Sequence, residues 1–136
     1  MTAADLKRLD ELAKDTKDLR TELSRLRNAS PVSATNYSGT GGNGGTGDPV
    51  AKAACSAADV DKKITSNLVE MGDIINTIHS EDLRELFRRI YIHWQSWPQI
   101  ANEMPRYSGD WKAPQRRWKR VHDRLGVKTP RFWRFR

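Results

Sequence analysis

Two long stretches of the chain carry apolar residues at steps of three and four, the period of a helix with one apolar stripe. Mixed charges separate these positions, as on the solvated face of a coiled coil. The pattern predicts two long helices that pair, either as an antiparallel hairpin in one chain or as a coiled coil between chains. The stripe over residues 1–28 is Leu6, Leu9, Leu12, Thr16, Leu19, Leu23 and Leu26, and the stripe over residues 50–79 is Val60, Ile64, Leu68, Met71, Ile75 and Ile78.

Residues 29–49, between the two stripes, favour a flexible linker. Glycines recur there among serine, threonine and asparagine, so the segment has little to bury. A glycine-rich loop can also cradle phosphate, but no Gly-Lys-Ser/Thr sequence follows and no hydrophobic strand precedes. We therefore expect a tether and not a nucleotide site.

Residues 80–128 predict three further helices. Ser80 is a good N-cap, and the apolar residues that follow it at helical spacing are Leu83, Leu86, Phe87, Ile90, Tyr91 and Trp94. The second helix starts at another N-cap, Ser96, where Gln99 can complete a capping box and Pro98 falls in the first turn. Its apolar stripe is Trp97, Ile100, Ala101 and Met104, and Pro105 ends it.

The third helix follows a turn over residues 106–113. Pro114 suits its first position, and Gly126 supplies its stop signal. Trp118, Val121 and Leu125 form its inward stripe. Three short amphipathic helices in this order predict an all-α chain that ends in a helix-turn-helix DNA-binding domain, with residues 129–136 as a basic aromatic tail.

Charge supports a polyanionic partner. The 136 residues carry a net charge of +7, with an isoelectric point near 9.9. The excess is concentrated at the end of the chain, because from Arg106 onward only Asp110 and Asp123 oppose a long series of arginines and lysines. Clustered basicity of this kind indicates nucleic acid more strongly than net charge alone does.

Helical geometry turns one face of the third helix outward, opposite Trp118, Val121 and Leu125. An exposed arginine can bind guanine through two hydrogen bonds, and glutamine can bind adenine in the same way. Arg117, Arg124 and Lys128 are better placed to grip phosphates. The alternative is that this outward face is only solvated, and we disfavour it because nearly all of its charges share one sign. The predicted DNA-binding residues are Lys112, Gln115, Arg116, Arg117, Lys119, Arg120, Arg124 and Lys128.

The sequence gives little indication of a disulfide, a membrane span, a metal site or catalysis. Cys55 is the only cysteine, so no intrachain disulfide is possible, and no signal peptide or membrane span is visible. We expect a cytoplasmic protein. His79, His93 and His122 lack metal-ligand spacing and are expected on helix surfaces. With no nucleophile signature either, we expect no enzyme activity, no metal and no cofactor.

Residues 83–92 (Leu-Arg-Glu-Leu-Phe-Arg-Arg-Ile-Tyr-Ile) and 96–101 (Ser-Trp-Pro-Gln-Ile-Ala) resemble the phage-encoded transcription regulators of the RinA and ArpU type. Those proteins carry a C-terminal helix-turn-helix similar to sigma factor region 4, and residues 118–125 match the position of their recognition helix. The resemblance implies a phage or prophage regulator of late or packaging genes that binds double-stranded DNA, with RNA polymerase as a candidate partner. Two departures are a longer turn before the third helix and Asp123, which would repel phosphate or accept from cytosine.

Two alternatives stay open at this point. A small terminase-like subunit would use the same motif on packaging-site DNA and assemble into a ring. A coiled-coil interaction adaptor would bind a protein through its N-terminal helices, which could also form a homo-oligomer, and its basic tail would be incidental.

Overall fold

The computed structural model describes the main chain of residues 1–37 and 49–131 and the side chains of residues 1–28 and 56–131. These residues form five α-helices and no strand, so the predicted all-α class is confirmed. The helices are α1 (Ala3–Tyr37), α2 (Pro49–Ile75), α3 (Glu81–Phe87), α4 (Trp97–Glu103) and α5 (Lys112–Leu125). A π-helical turn, Arg88–Ile92, follows α3, and a 3₁₀ turn, Pro105–Tyr107, follows α4.

The chain divides into two compact units. The first unit comprises Met1–Lys14 and the chain from Leu68 onward, and the second unit is Asp15–Asn67. Each of the two long helices therefore contributes one part to each unit. None of the helices in the described ranges is long and apolar enough to cross a membrane.

The second unit pairs α1 with α2 within one chain. The amide of Asn67 donates hydrogen bonds to Asp15 Oδ2 at 2.8 Å and to Thr16 Oγ1 at 3.3 Å. Of the predicted stripe positions of this unit, Leu26 is half-buried and the others are buried, namely Thr16, Leu19, Leu23, Val60 and Ile64. The apolar pattern left pairing within a chain and pairing between chains open, and the structure shows pairing within one chain.

The first long helix ends later than its pattern predicts. It continues past Asn28 to Tyr37, because no glycine that could adopt the left-handed stop conformation occurs before Gly39. Pro31 lies inside this helix and does not end it, although an interior proline removes a main-chain donor and usually kinks or breaks a helix. The remaining linker residues, 38–48, and the side chain of Cys55 lie outside the described residues.

The first unit has one apolar core, to which the start of α1, the end of α2 and all the later helices contribute. Most of the predicted stripe positions in this unit are buried, whereas Leu68 and Leu83 are partly buried at the edge of the core and Trp94 lies beyond the helix predicted to contain it. The fully buried apolar side chains include Leu6, Leu9, Met71, Ile75, Leu86, Phe87, Ile90 and Ile100.

The helix that begins after Ser80 is interrupted where the pattern predicts continuity. Ser80 caps it as predicted, accepting a hydrogen bond from Leu83 N at 3.4 Å. After Phe87 the turns widen, and His93 N donates to Arg88 O at 3.0 Å. Trp94 then adopts the left-handed conformation, with φ of 56°. The wider turn and the left-handed Trp94 together end this helical segment before the N-cap of α4.

The second short helix, α4, confirms its predicted cap and stripe. Ser96 Oγ accepts from Gln99 N at 3.3 Å. The capping box is only half formed, because the Gln99 side chain donates to Glu103 at 3.4 Å and not back to the main chain of Ser96. The whole predicted stripe is buried, namely Trp97, Ile100, Ala101 and Met104.

The last helix, α5, starts two positions before the predicted start at Pro114, at Lys112. A proline fits anywhere in the first turn, where main-chain N–H groups have no partner within the helix. The start is held by Asp110, whose Oδ1 accepts from Lys112 N at 3.1 Å. Gly126 ends α5 with φ of 70°, as predicted.

Candidate nucleic-acid interface

The inward face of α5 is anchored by Trp118. This residue is 1% exposed, and its ring packs 5.5 Å from the ring of Trp97 on α4. Val121 is also buried, whereas Leu125 packs at the edge of the core. The predicted inward stripe therefore sets the orientation of α5.

A buried polar network fixes α5 to α1. Tyr91 donates to Asp10 Oδ1 at 2.6 Å, and Trp118 Nε1 donates to the Tyr91 hydroxyl at 2.9 Å. His122 Nε2 lies 2.7 Å from Asp10 Oδ2, and its Nδ1 lies 3.0 Å from the Trp118 carbonyl oxygen. A carbonyl oxygen only accepts, so Nδ1 is the donor in the contact with Trp118. The start of α1 is thus a structural support for α5.

The prediction that His122 lies on a helix surface is wrong. Its side chain has no exposed surface, because position 122 follows Trp118 by one helical turn and shares its inward face. The sequence does not indicate this role, because Asp10, the partner of His122, lies 112 residues away. His79 and His93 are exposed as predicted, but both lie between helices and not on a helix surface.

The outward face of α5 carries one sign of charge almost throughout. Within the described residues, Lys119, Arg120 and Arg124 are exposed and make no ion pair or hydrogen bond, and Asp123 is the acidic exception. Arg116 lies 3.8 Å from Asp110, but both are exposed, so this pair holds the arginine weakly. Lys112 and Lys128 are exposed at the two ends of the helix. These predicted residues share one accessible surface.

Two of the predicted residues are less accessible. Arg117 is half-buried, and its guanidinium donates to the hydroxyl of Tyr107 at 3.2 Å. Tyr107 is itself buried in the turn before α5. Arg117 therefore ties α5 to that turn, a role that spacing along the helix does not reveal. Gln115 is also half-buried, and it lines a groove of about 430 Å³ with Lys119, Lys128 and Arg131.

A polar cluster around Glu103 fixes α4 to the π-helical turn. The carboxylate accepts hydrogen bonds from Gln99 at 3.4 Å and from Gln95 at 2.8 Å, and it forms an ion pair with Arg89. The hydrogen bonds from Gln99 and Gln95, followed by Arg89, lower the pKa of Glu103. Because α4 carries Trp97, this cluster also contributes to the position of α5.

Within the part of the chain that the structure describes, no group of three or more histidine, cysteine, aspartate or glutamate side chains could hold a metal ion. The tail after Arg131 lies outside the described residues, while Thr129 and Pro130 are half-buried.

Comparison with protein-family models, curated proteins and solved structures finds no match to this chain.

Proposed function

We propose that this chain is a sequence-specific DNA-binding transcription regulator, with α4 as the supporting helix and α5 as the recognition helix of a helix-turn-helix. The proposal is carried by the outward face of α5, where Lys119, Arg120 and Arg124 are exposed and lack ion pairs and hydrogen bonds among the described residues. Trp118 and His122 hold the opposite face in the core. A cationic face on a helix held in this way suits a DNA duplex, because an α-helix about 10–12 Å across fits a major groove about 12 Å wide.

The exposed residues divide into two roles under this proposal. Arg116 and Arg120 bind base edges, where each bidentate contact to guanine contributes about 1–3 kcal/mol of discrimination. Lys112, Arg124 and Lys128, near the ends of α5, bind phosphates. Asp123 either accepts a hydrogen bond from cytosine or keeps phosphate away from its part of the face.

The biological setting rests on the resemblance to the RinA and ArpU type of regulator. It makes the protein a phage or prophage regulator of late or packaging genes, with RNA polymerase as a candidate partner. Homo-oligomerisation through the N-terminal helices belongs to the same proposal.

Selection of binding sites from random duplex DNA, followed by salt titration on the selected site, tests this function. We expect a defined sequence and a steep fall in affinity with salt, since each neutralised phosphate contributes about 0.9 to the slope of log K against log salt. Recovery of no preferred sequence would contradict the proposal. Assembly into a large ring would favour a DNA-packaging subunit, and loss of all duplex binding near physiological salt would favour an interaction adaptor.

A further inference from the structure

A second basic groove lies between α1 and the segment that follows α5. Its volume is about 460 Å³, and both of its walls belong to the first unit. The α1 wall contains Lys7 and Lys14, and the other wall contains Lys128 and Arg131. All four side chains are exposed, and none makes an ion pair or hydrogen bond with another described residue. We refer to Lys7, Lys14, Lys128 and Arg131 as the α1 strip.

The carboxylates in this groove do not neutralise the strip. Asp10 is buried, and both of its oxygens are engaged by Tyr91 and His122. Glu11 is exposed at the rim, and because its 3.9 Å pair with the exposed Arg8 is weak, its charge offsets one of the four cations. The accessible charge of the groove is therefore positive.

The spacing of the strip suits an extended polyanion. Lys7 and Lys14 are seven residues apart, which places them on one face of α1 about 10 Å apart along the axis. Lys128 and Arg131 also line the groove that contains Gln115 and Lys119 of α5. The two grooves thus form one basic path from the proposed recognition helix to α1.

We propose that the α1 strip binds phosphates of the DNA backbone that flanks the sequence contacted by α5. This inference rests on the proposed function. It gives the start of α1 two roles, since the helix supports α5 through Asp10 and contacts DNA through Lys7 and Lys14. Phosphate is the ligand because three of the four residues are lysines, which bind phosphate as point charges.

The test compares the wild-type protein with K7Q/K14Q on two duplexes, one limited to the selected site and one extended by about one helical turn, 10 base pairs, on each side. The matched control is K62Q/K63Q, which removes two exposed lysines from α2 in the second unit. Circular dichroism and urea titration establish that both variants are as folded as the wild type.

On the extended duplex, K7Q/K14Q should reduce the salt slope by about two, so that its affinity relative to the wild type changes about tenfold between 50 and 200 mM salt. On the short duplex, K7Q/K14Q should have the same affinity and the same salt slope as K62Q/K63Q. Equal behaviour of the two variants on the extended duplex would overturn the role of the strip while sequence-specific binding stands. An equal loss on both duplexes would show general attraction and overturn the flanking contact. Absence of any sequence preference in the wild type would instead overturn the proposed function, and the strip's role with it.

Discussion

His122 on α5 and Asp10 on α1 form a buried pair, with 2.7 Å between Nε2 and Oδ2. The pair joins the start of the chain to the helix that carries the basic face. Tyr91 and Trp118 complete its hydrogen bonds, so the network includes residues from three separate parts of the sequence. Presentation of the basic face therefore depends on α1.

Asp10→Ala should destabilise the protein by about 1–3 kcal/mol for each buried polar group that it leaves without a hydrogen-bond partner. The change removes Asp10 as the hydrogen-bond partner of the Tyr91 hydroxyl and of His122 Nε2. Urea denaturation measures the loss. The control is Glu11→Ala, a neighbour whose side chain is 71% exposed and which should change stability by less than about 0.5 kcal/mol. Equal effects of the two substitutions would show that the network contributes little.

Two glycine substitutions should shift stability in opposite directions. Gly126 has φ of 70°, so Gly126→Ala should cost roughly 1–2 kcal/mol although a Cβ there would meet nothing within 4 Å. Gly72 lies inside α2 with equal free space and no positive φ, so Gly72→Ala should stabilise by about 0.5–1 kcal/mol. Thermal unfolding of the two variants side by side checks both signs. If both substitutions stabilise the protein or both destabilise it, backbone conformation is not the cause.

Glu103 should contribute a pH-dependent part of the stability. Its hydrogen bonds to Gln99 and Gln95 and its ion pair with Arg89 lower its pKa in the folded state. The stabilisation is therefore present above the pKa of the unfolded chain, about 4, and is lost as the pH falls through the lower folded value. The difference in urea midpoint between the wild type and Glu103→Gln should shrink from pH 7 to pH 3.5. Glu22→Gln, at an exposed position of α1, is the control and should show no such change.

Arg120→Ala should relax base preference. If Arg120 binds a guanine, its loss costs about 1–3 kcal/mol on the selected site and much less on a site with that base pair changed. Binding measured on both sites gives the difference. Arg25→Ala removes an exposed arginine from the second unit and should leave both affinities unchanged. Equal weakening on every sequence would remove the base-reading role of Arg120.

Arg117 should act through Tyr107. Arg117→Ala and Tyr107→Phe each remove the same 3.2 Å hydrogen bond, and each should cost about 0.5–1.5 kcal/mol of stability. The double variant should cost clearly less than the sum, because the bond can be lost only once. Strict additivity in urea denaturation would show that Arg117 is independent of Tyr107 and available for phosphate.

Local signals determined most of the helical layout. Ser80 and Ser96 cap their helices as their spacing predicts, and Gly126 ends α5, because each of these signals involves residues within one or two turns of one another. The apolar stripes identified the core faces for the same reason. The all-α class follows directly from these short-range patterns.

The tertiary structure decided which distant residues meet. Helical period alone cannot reveal that Asp10 and His122 meet, or that Lys7 and Lys14 face Lys128 and Arg131, since these partners are separated by most of the chain. It also cannot show that Arg117 bonds to Tyr107 across the turn. Local energetics set where helices begin, which way their apolar faces point and where they end, whereas packing against a common core sets which polar groups are buried together and which cations stay exposed.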